Sequence, residues 1–154
     1  MSVRVLITGA SRGFGAALSL AFAERGARVF AGARSARPEL ERIAARYPTQ
    51  VFPLELDVQR LASVEQARAR VLEHTDALDV LVNNAAIRSA SADNPIESID
   101  FEDAARTFDI NALGALRVTR AFLPLLRHGD ASTLVNVSSE AGSIGQAGRD
   151  REFD

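Results

Sequence analysis

The chain has 154 residues, 47% hydrophobic and 25% charged, which is enough for one core and too short for two, so it reads as a single globular domain over 1–154. A formal net charge of −2 with no basic block excludes nucleic acid or an anionic membrane surface as the main partner. No cysteine occurs, which excludes disulfides, thiolate nucleophiles and Cys-held metals, and no metal site is expected. With neither a charged-then-apolar leader nor an apolar run of spanning length, the expected location is cytoplasmic, without membrane insertion.

Residues 3–7 form an apolar run suited to a strand buried on both faces. A helix follows over 13–25, with Leu18, Leu20, Ala21 and Phe22 expected to pack inward and Gly26 as its stop signal. A second strand takes 27–32, and a helix over 38–46 opens on Pro38 and closes before Pro48. The third strand, 50–56, contains Pro53, which places it at an edge of the sheet. Residues 63–74 read as a helix in which Ser63 and Gln66 have capping-box spacing. Then come a strand over 78–82, a polar loop over 83–99, a long helix over 101–127 introduced by Asp100, and a fifth strand over 133–138. Residues 142–154, rich in Gly and charge, read as loop, and His74 and His128 fall near helix C-termini, where a surface role suits them. Five strands alternating with helices predict an α/β domain with a doubly wound parallel sheet, whose ligands sit outside the carboxyl ends of the strands.

The turn between the first strand and first helix runs Thr8, Gly9, Ala10, Ser11, Arg12, Gly13, Phe14, Gly15. Gly9 permits the unusual backbone angles of a strand-to-helix reversal, Gly13 permits close approach of a diphosphate, and Gly15 permits the helix to pack on the sheet. Free N–H groups at the helix start stabilise an anion there without a lysine. An ordinary glycine-containing turn would share these residues; the position at the first βα junction of a regular alternation favours the phosphate-binding reading.

Several motifs in register resemble the classical short-chain dehydrogenase/reductase family. Residues 8–15 match its TGxxxGxG turn, Leu56, Asp57 and Val58 its adenine-contacting segment, and 83–86 its NNAG segment. Residues 108–114 match the helix that carries the family's active-site Asn, here Asn111, and 135–142 match the strand ending in the catalytic Ser, here Ser139 with Ser138 as its structural partner. The resemblance implies a Rossmann fold and hydride transfer between a nicotinamide cofactor and a small carbonyl or alcohol substrate. It also implies cofactor contacts at Gly9, Ser11, Arg12, Gly13, Phe14, Gly15, Arg34, Asp57, Val58, Asn83 and Ala85. Asn111 would hold a water in a proton relay, Ser139 would polarise the carbonyl, and the 101–127 helix would make a homo-oligomer contact.

Each of these positions also has a plainer reading. Asp57 fits a helix-entry cap, Asn83 fits turn chemistry, and Ala86 stands where the family has Gly, a cost on the order of 1 kcal/mol if that position needs positive φ. At the end of the second strand, Ala33 replaces the acid that grips unphosphorylated ribose and Arg34 follows it, with Arg12 nearby. Paired hydrogen bonds from Arg suit a 2′-phosphate, so NADP(H) is expected ahead of NAD(H), unless both arginines are solvated surface charges.

All 18 basic side chains are Arg, and Tyr47 is the single Tyr, so the family's Tyr acid/base and following Lys have no counterpart in these 154 residues. Three readings remain: part of a longer reductase truncated at its C-terminal end, a non-catalytic NADP(H)-binding regulatory or redox-sensing module, or a purely structural subunit or partner-binding fragment.

Overall fold

The computed structural model describes residues 2–35 and 37–139. Five parallel strands, β1 (Arg4–Thr8), β2 (Arg28–Ala33), β3 (Val51–Glu55), β4 (Val80–Asn83) and β5 (Thr133–Asn136), lie in the order β3-β2-β1-β4-β5. The chain winds outward through β2 and β3, then crosses to the other side of β1. That reversal opens a crevice at the carboxyl ends of β1 and β4, the topological switch point of such sheets. β3 is an edge strand, as Pro53 requires. Pairing of Leu6 with both Phe30 and Leu81 fixes the register at the centre.

Because strand side chains alternate, β1 supplies two cores. Val5 and Ile7 join Val29, Ala31, Leu40 and Ile43 under α1 (Gly13–Glu24) and α2 (Pro38–Arg46). Leu6 joins Phe30, Val64, Leu81, Val118 and Phe122 under α3 (Leu61–Leu72) and α5 (Ala115–Arg127). The inward face of α1 differs from expectation. Its buried residues are Gly15, Ala16, Ser19 and Ala23, while Leu18, Leu20, Ala21 and Phe22 are half-buried beside them. Small side chains at helical spacing let the helix approach the sheet closely, and the larger ones fill the flanks.

Three further expectations are corrected. Ser63 and Gln66 form no capping box, since α3 starts at Leu61 and the Ser63 hydroxyl accepts the Asp57 N–H at 3.0 Å, tying the helix to the end of β3 instead. The 101–127 helix is an axis of three pieces: α4 (Phe101–Phe108), a π turn (Asp109–Gly114) and α5. Asp100 caps α4 as expected, accepting the Glu102 and Asp103 N–H groups. β5 ends at Asn136, two residues earlier than expected, with a last ladder bond from Val137 N–H to the Asn83 carbonyl. The expected loop over 142–154 lies outside the described residues.

At the amino ends of the strands, Asp79 binds β1, β4 and β5 together. Its carboxylate accepts the Arg4 backbone N–H at 2.8 Å, the Arg4 guanidinium at 2.7 and 2.9 Å, and the Asp130 N–H at 3.2 Å. The Arg4 side chain first, then these backbone N–H groups, outweigh desolvation and hold the Asp79 carboxyl at about 2, below the ordinary 3.8. A depressed folded value stabilises above the unfolded value and is lost as pH falls through the folded one. Asp79→Asn is therefore expected to cost on the order of 1–2 kcal/mol at neutral pH, allowing for solvent screening. In urea unfolding the difference from the parent should shrink as pH drops from about 4 toward 2; a constant difference across that range would remove the charge from the explanation.

Candidate functional site

The crevice holds a cavity of about 350 Å³, within the range of small-molecule sites. Its floor is the turn 9–15, one rim is Ala33, Arg34, Ser35 and Arg37, and its walls are Leu56, Asp57 and Val58 on one side and Asn84 to Ile87 with Ile110 on the other.

The glycines divide the work of the floor. Gly9 has φ +68°, and a Cβ there would meet the Ala85 Cα at 2.8 Å. A Cβ on Gly15 would collide with the Gly9 carbonyl and stand 2.6 Å from the Asn84 amide nitrogen. These two close the turn against β4. Gly13, at φ +55°, differs: a Cβ there would meet nothing within 4 Å, so its backbone faces the open cavity. α1 begins at that point with no acidic residue in its first turn and no side chain capping it, leaving its first N–H groups available to an anion.

Asn84 latches the floor to the wall. Its side-chain nitrogen donates to the Thr8 and Gly9 carbonyls at 2.9 and 3.3 Å, while the buried Thr8 hydroxyl accepts the Asn84 and Ala85 N–H groups, both at 3.0 Å. Asn83, the neighbour expected at the site, does not line the cavity. Its amide nitrogen turns into the sheet, donating to Thr119 at 3.0 Å and Asn136 at 2.9 Å, and its side-chain oxygen is buried without a partner among the described residues. Ala86 stands on the wall without strain, because among the described residues only glycines have positive φ.

Asp57 is the acid on the cavity wall; one carboxylate oxygen accepts the Gln59 N–H at 3.0 Å, so it caps a turn before α3 rather than the helix itself. Arg12, Arg34 and Arg37 all reach the cavity, are exposed, and make no side-chain hydrogen bond or ion pair among the described residues. Three guanidinium groups around one rim make that end strongly attractive to an anion.

Asn111 lies in the π turn, outside the cavity lining. Its amide brackets Ile87, accepting the Ile87 N–H at 2.9 Å and donating to the Ile87 carbonyl at 2.8 Å. The amide thus holds the wall in place, a duty distinct from the water contact that the resemblance implied. Ser138 and Ser139 are exposed just beyond β5, at the same end of the sheet but not on the cavity wall. Of the residues expected at the cofactor, the structure gathers Gly9, Ser11, Arg12, Gly13, Phe14, Gly15, Arg34, Asp57, Val58 and Ala85 around one cavity. Sequence reasoning missed Ser35, Arg37, Asn84, Ile87 and Ile110 as lining residues. Asn84 could have been found from its place in the motif and Arg37 as a cation at a helix entry; the two isoleucines carry no such signal.

The short chain dehydrogenase family model matches residues 3–150. The chain belongs to that family. Over 152 residues it is 38% identical to the short chain dehydrogenase mpl6 of Monascus purpureus, covering 94% of this chain and 51% of the relative. The chain thus spans about half the length of the curated relatives it matches. The fold superposes with TM-score 0.83 on the NADPH-bound carbonyl reductase from chicken fatty liver, at 29% identity, covering 96% of this chain and 64% of that one. It superposes with TM-score 0.80 on the NADH-dependent reductase A1-R′ complexed with NAD, at 25% identity, covering 91% and 61%. The chain therefore resembles both an NADPH-bound and an NAD-complexed reductase. Among the described residues, no group of three His, Cys, Asp or Glu is placed to hold a metal, and no helix is long and apolar enough to cross a membrane.

Proposed function

We propose that this chain is the nucleotide-binding part of an NADP(H)-dependent oxidoreductase acting on a small carbonyl or alcohol substrate in the cytoplasm. The observation that carries the cofactor preference is the rim. Ala33 occupies the end of β2 where an acid would bind ribose hydroxyls and repel a phosphate, and Arg12, Arg34 and Arg37 converge beside it. The cavity fits such a group: Gly13 leaves open space before uncapped N–H groups of α1, and the arginines have no competing partner among the described residues. Gly13 and the first turn of α1 would hold the diphosphate, the arginines the 2′-phosphate, and Asp57, Val58, Ala85 and Ile87 the walls. When bound, the nicotinamide would supply or accept the hydride.

Arg34→Ala is expected to weaken NADPH by roughly 1.5–3 kcal/mol, the worth of a charged hydrogen bond, while leaving NADH nearly unchanged. Titration of both cofactors into parent and variant checks it; equal losses, or a parent that prefers NADH, would show that Arg34 does not read the phosphate.

A second reading is a nucleotide-binding module without catalysis, resting on the same cavity. Self-association is proposed through the outer face of the 101–127 axis, where Phe101, Phe108 and Leu116 are exposed at 83%, 62% and 63%.

A further inference from the structure

The π turn is held by a polar bridge that reaches beyond the matched motifs to Arg117 and Gln59. Asp109 opens the turn and Arg117 lies in the first turn of α5, so the pair spans it from end to end. Arg117 donates to the Asp109 carboxylate at 2.5 Å, to the Asp109 carbonyl at 3.3 Å and to the Val58 carbonyl at 3.4 Å. The second Asp109 oxygen accepts from the Gln59 side-chain amide at 3.1 Å. Arg117 first, then Gln59, hold the Asp109 carboxyl below its ordinary range. On the same side Gly114 lets the turn sit directly on Val58, whose Cγ2 would lie 2.7 Å from a Cβ at that position. On the other side the turn carries Ile110 into the cavity wall and, through the Asn111 amide, brackets Ile87. A π turn is less favourable than continuous α-helix and persists where tertiary contacts hold it. Return to α geometry would rotate Ile110 and Asn111 by about 100° relative to α5, taking the amide away from Ile87.

We propose that Arg117, Asp109 and Gln59 form a positioning unit that locks the π turn and so fixes the spacing between the Val58 wall and the Ile87 wall of the cavity. None of the three lines the cavity, so none acts by touching a ligand. The consequence for nucleotide binding rests on the reading proposed above; the effect on Ile87 does not.

The test is amide hydrogen exchange at Ile87 in the nucleotide-free full chain, with Leu6 of β1 as the reference for global opening. Arg117→Met should speed exchange at Ile87 about tenfold, the loss of a charge-assisted hydrogen bond, with Leu6 unchanged. Arg117→Lys keeps the charge but not the fork that reaches Asp109 and Val58 together, and should fall between parent and Met variant. Arg70→Met, which removes the exposed pair with Glu73, should leave Ile87 alone. Unchanged Ile87 exchange in folded Arg117→Met would overturn the inference. If that variant does not fold, Arg117→Lys and Asp109→Asn decide it, since both must loosen Ile87 more than Leu6. NADPH affinity should fall several-fold in step with the loosening. A parent that binds no NADPH but whose Arg117 variants loosen Ile87 would overturn the cofactor reading and leave the positioning unit standing. Loss of NADPH binding with Ile87 still protected would do the reverse.

Discussion

Gly13→Val is expected to abolish NADPH binding while leaving the fold in place. Gly13 has φ +55°, where a side chain costs roughly 1–2 kcal/mol and a β-branched one more. A Cβ at this position meets no atom within 4 Å, so the fold has no clash to relieve and bears only the backbone strain. The isopropyl group would instead stand in the open space before the first N–H groups of α1, where a diphosphate must come close. An affinity loss of at least about a hundredfold, or about 3 kcal/mol, is expected in a fluorescence titration, with the far-ultraviolet circular dichroism of the parent retained. Gly9→Val is the contrasting variant, because its Cβ would strike Ala85 backbone at 2.8 Å and the protein itself should fail. Undiminished NADPH affinity in folded Gly13→Val would take the diphosphate away from this turn.

The contrast between these two glycines marks how far residues alone can be read. Alternating apolar runs, Pro53 and the caps at Asp100 and Gly26 act over a few residues, and the elements they specify are present in the structure. Asn83 and Asn84 show where such reading stops. Successive strand residues face opposite sides, so one step of register sends Asn83 into the polar contacts of β5 and α5 and Asn84 to the cavity. The pair in sequence looks the same either way. The π turn is a second case. Nothing local distinguishes 109–114 from α-helix; the geometry depends on Gln59 and Val58, some fifty residues earlier in the chain, which bond to Asp109 and Arg117. Ser63 likewise has the spacing of a cap but is drawn to Asp57 by the packing of α3 on the end of β3.

A preparation verified as these 154 residues alone is expected to bind NADPH yet to show no useful turnover of carbonyl or alcohol substrates. Binding needs the turn, the rim and the walls, all of which lie within the described residues. Turnover also needs a proton to reach or leave the substrate oxygen, and general acid catalysis contributes typically about 10² to 10⁴-fold. The Ser139 hydroxyl can orient a group through a hydrogen bond and the Asn111 amide is engaged by Ile87, but neither a Ser hydroxyl nor an Asn amide is poised to give up a proton near neutral pH. Tyr47 ends α2, its ring beneath the Arg46 guanidinium, and is no part of the cavity. Arginine, with a pKa above about 12, cannot replace a Lys in passing protons. A longer form that supplies Tyr and Lys at the family's spacing should gain activity, and there Ser139→Ala should cost more than Ser138→Ala if the Ser139 hydroxyl polarises the carbonyl as the family resemblance implies. Robust NADPH oxidation by the mass-verified short chain, with a carbonyl substrate reduced in step, would mean that another acid serves. Glu140→Gln and Asp150→Asn would then be the first variants to measure, since each removes a carboxyl from the segment just beyond Ser139 without changing its size.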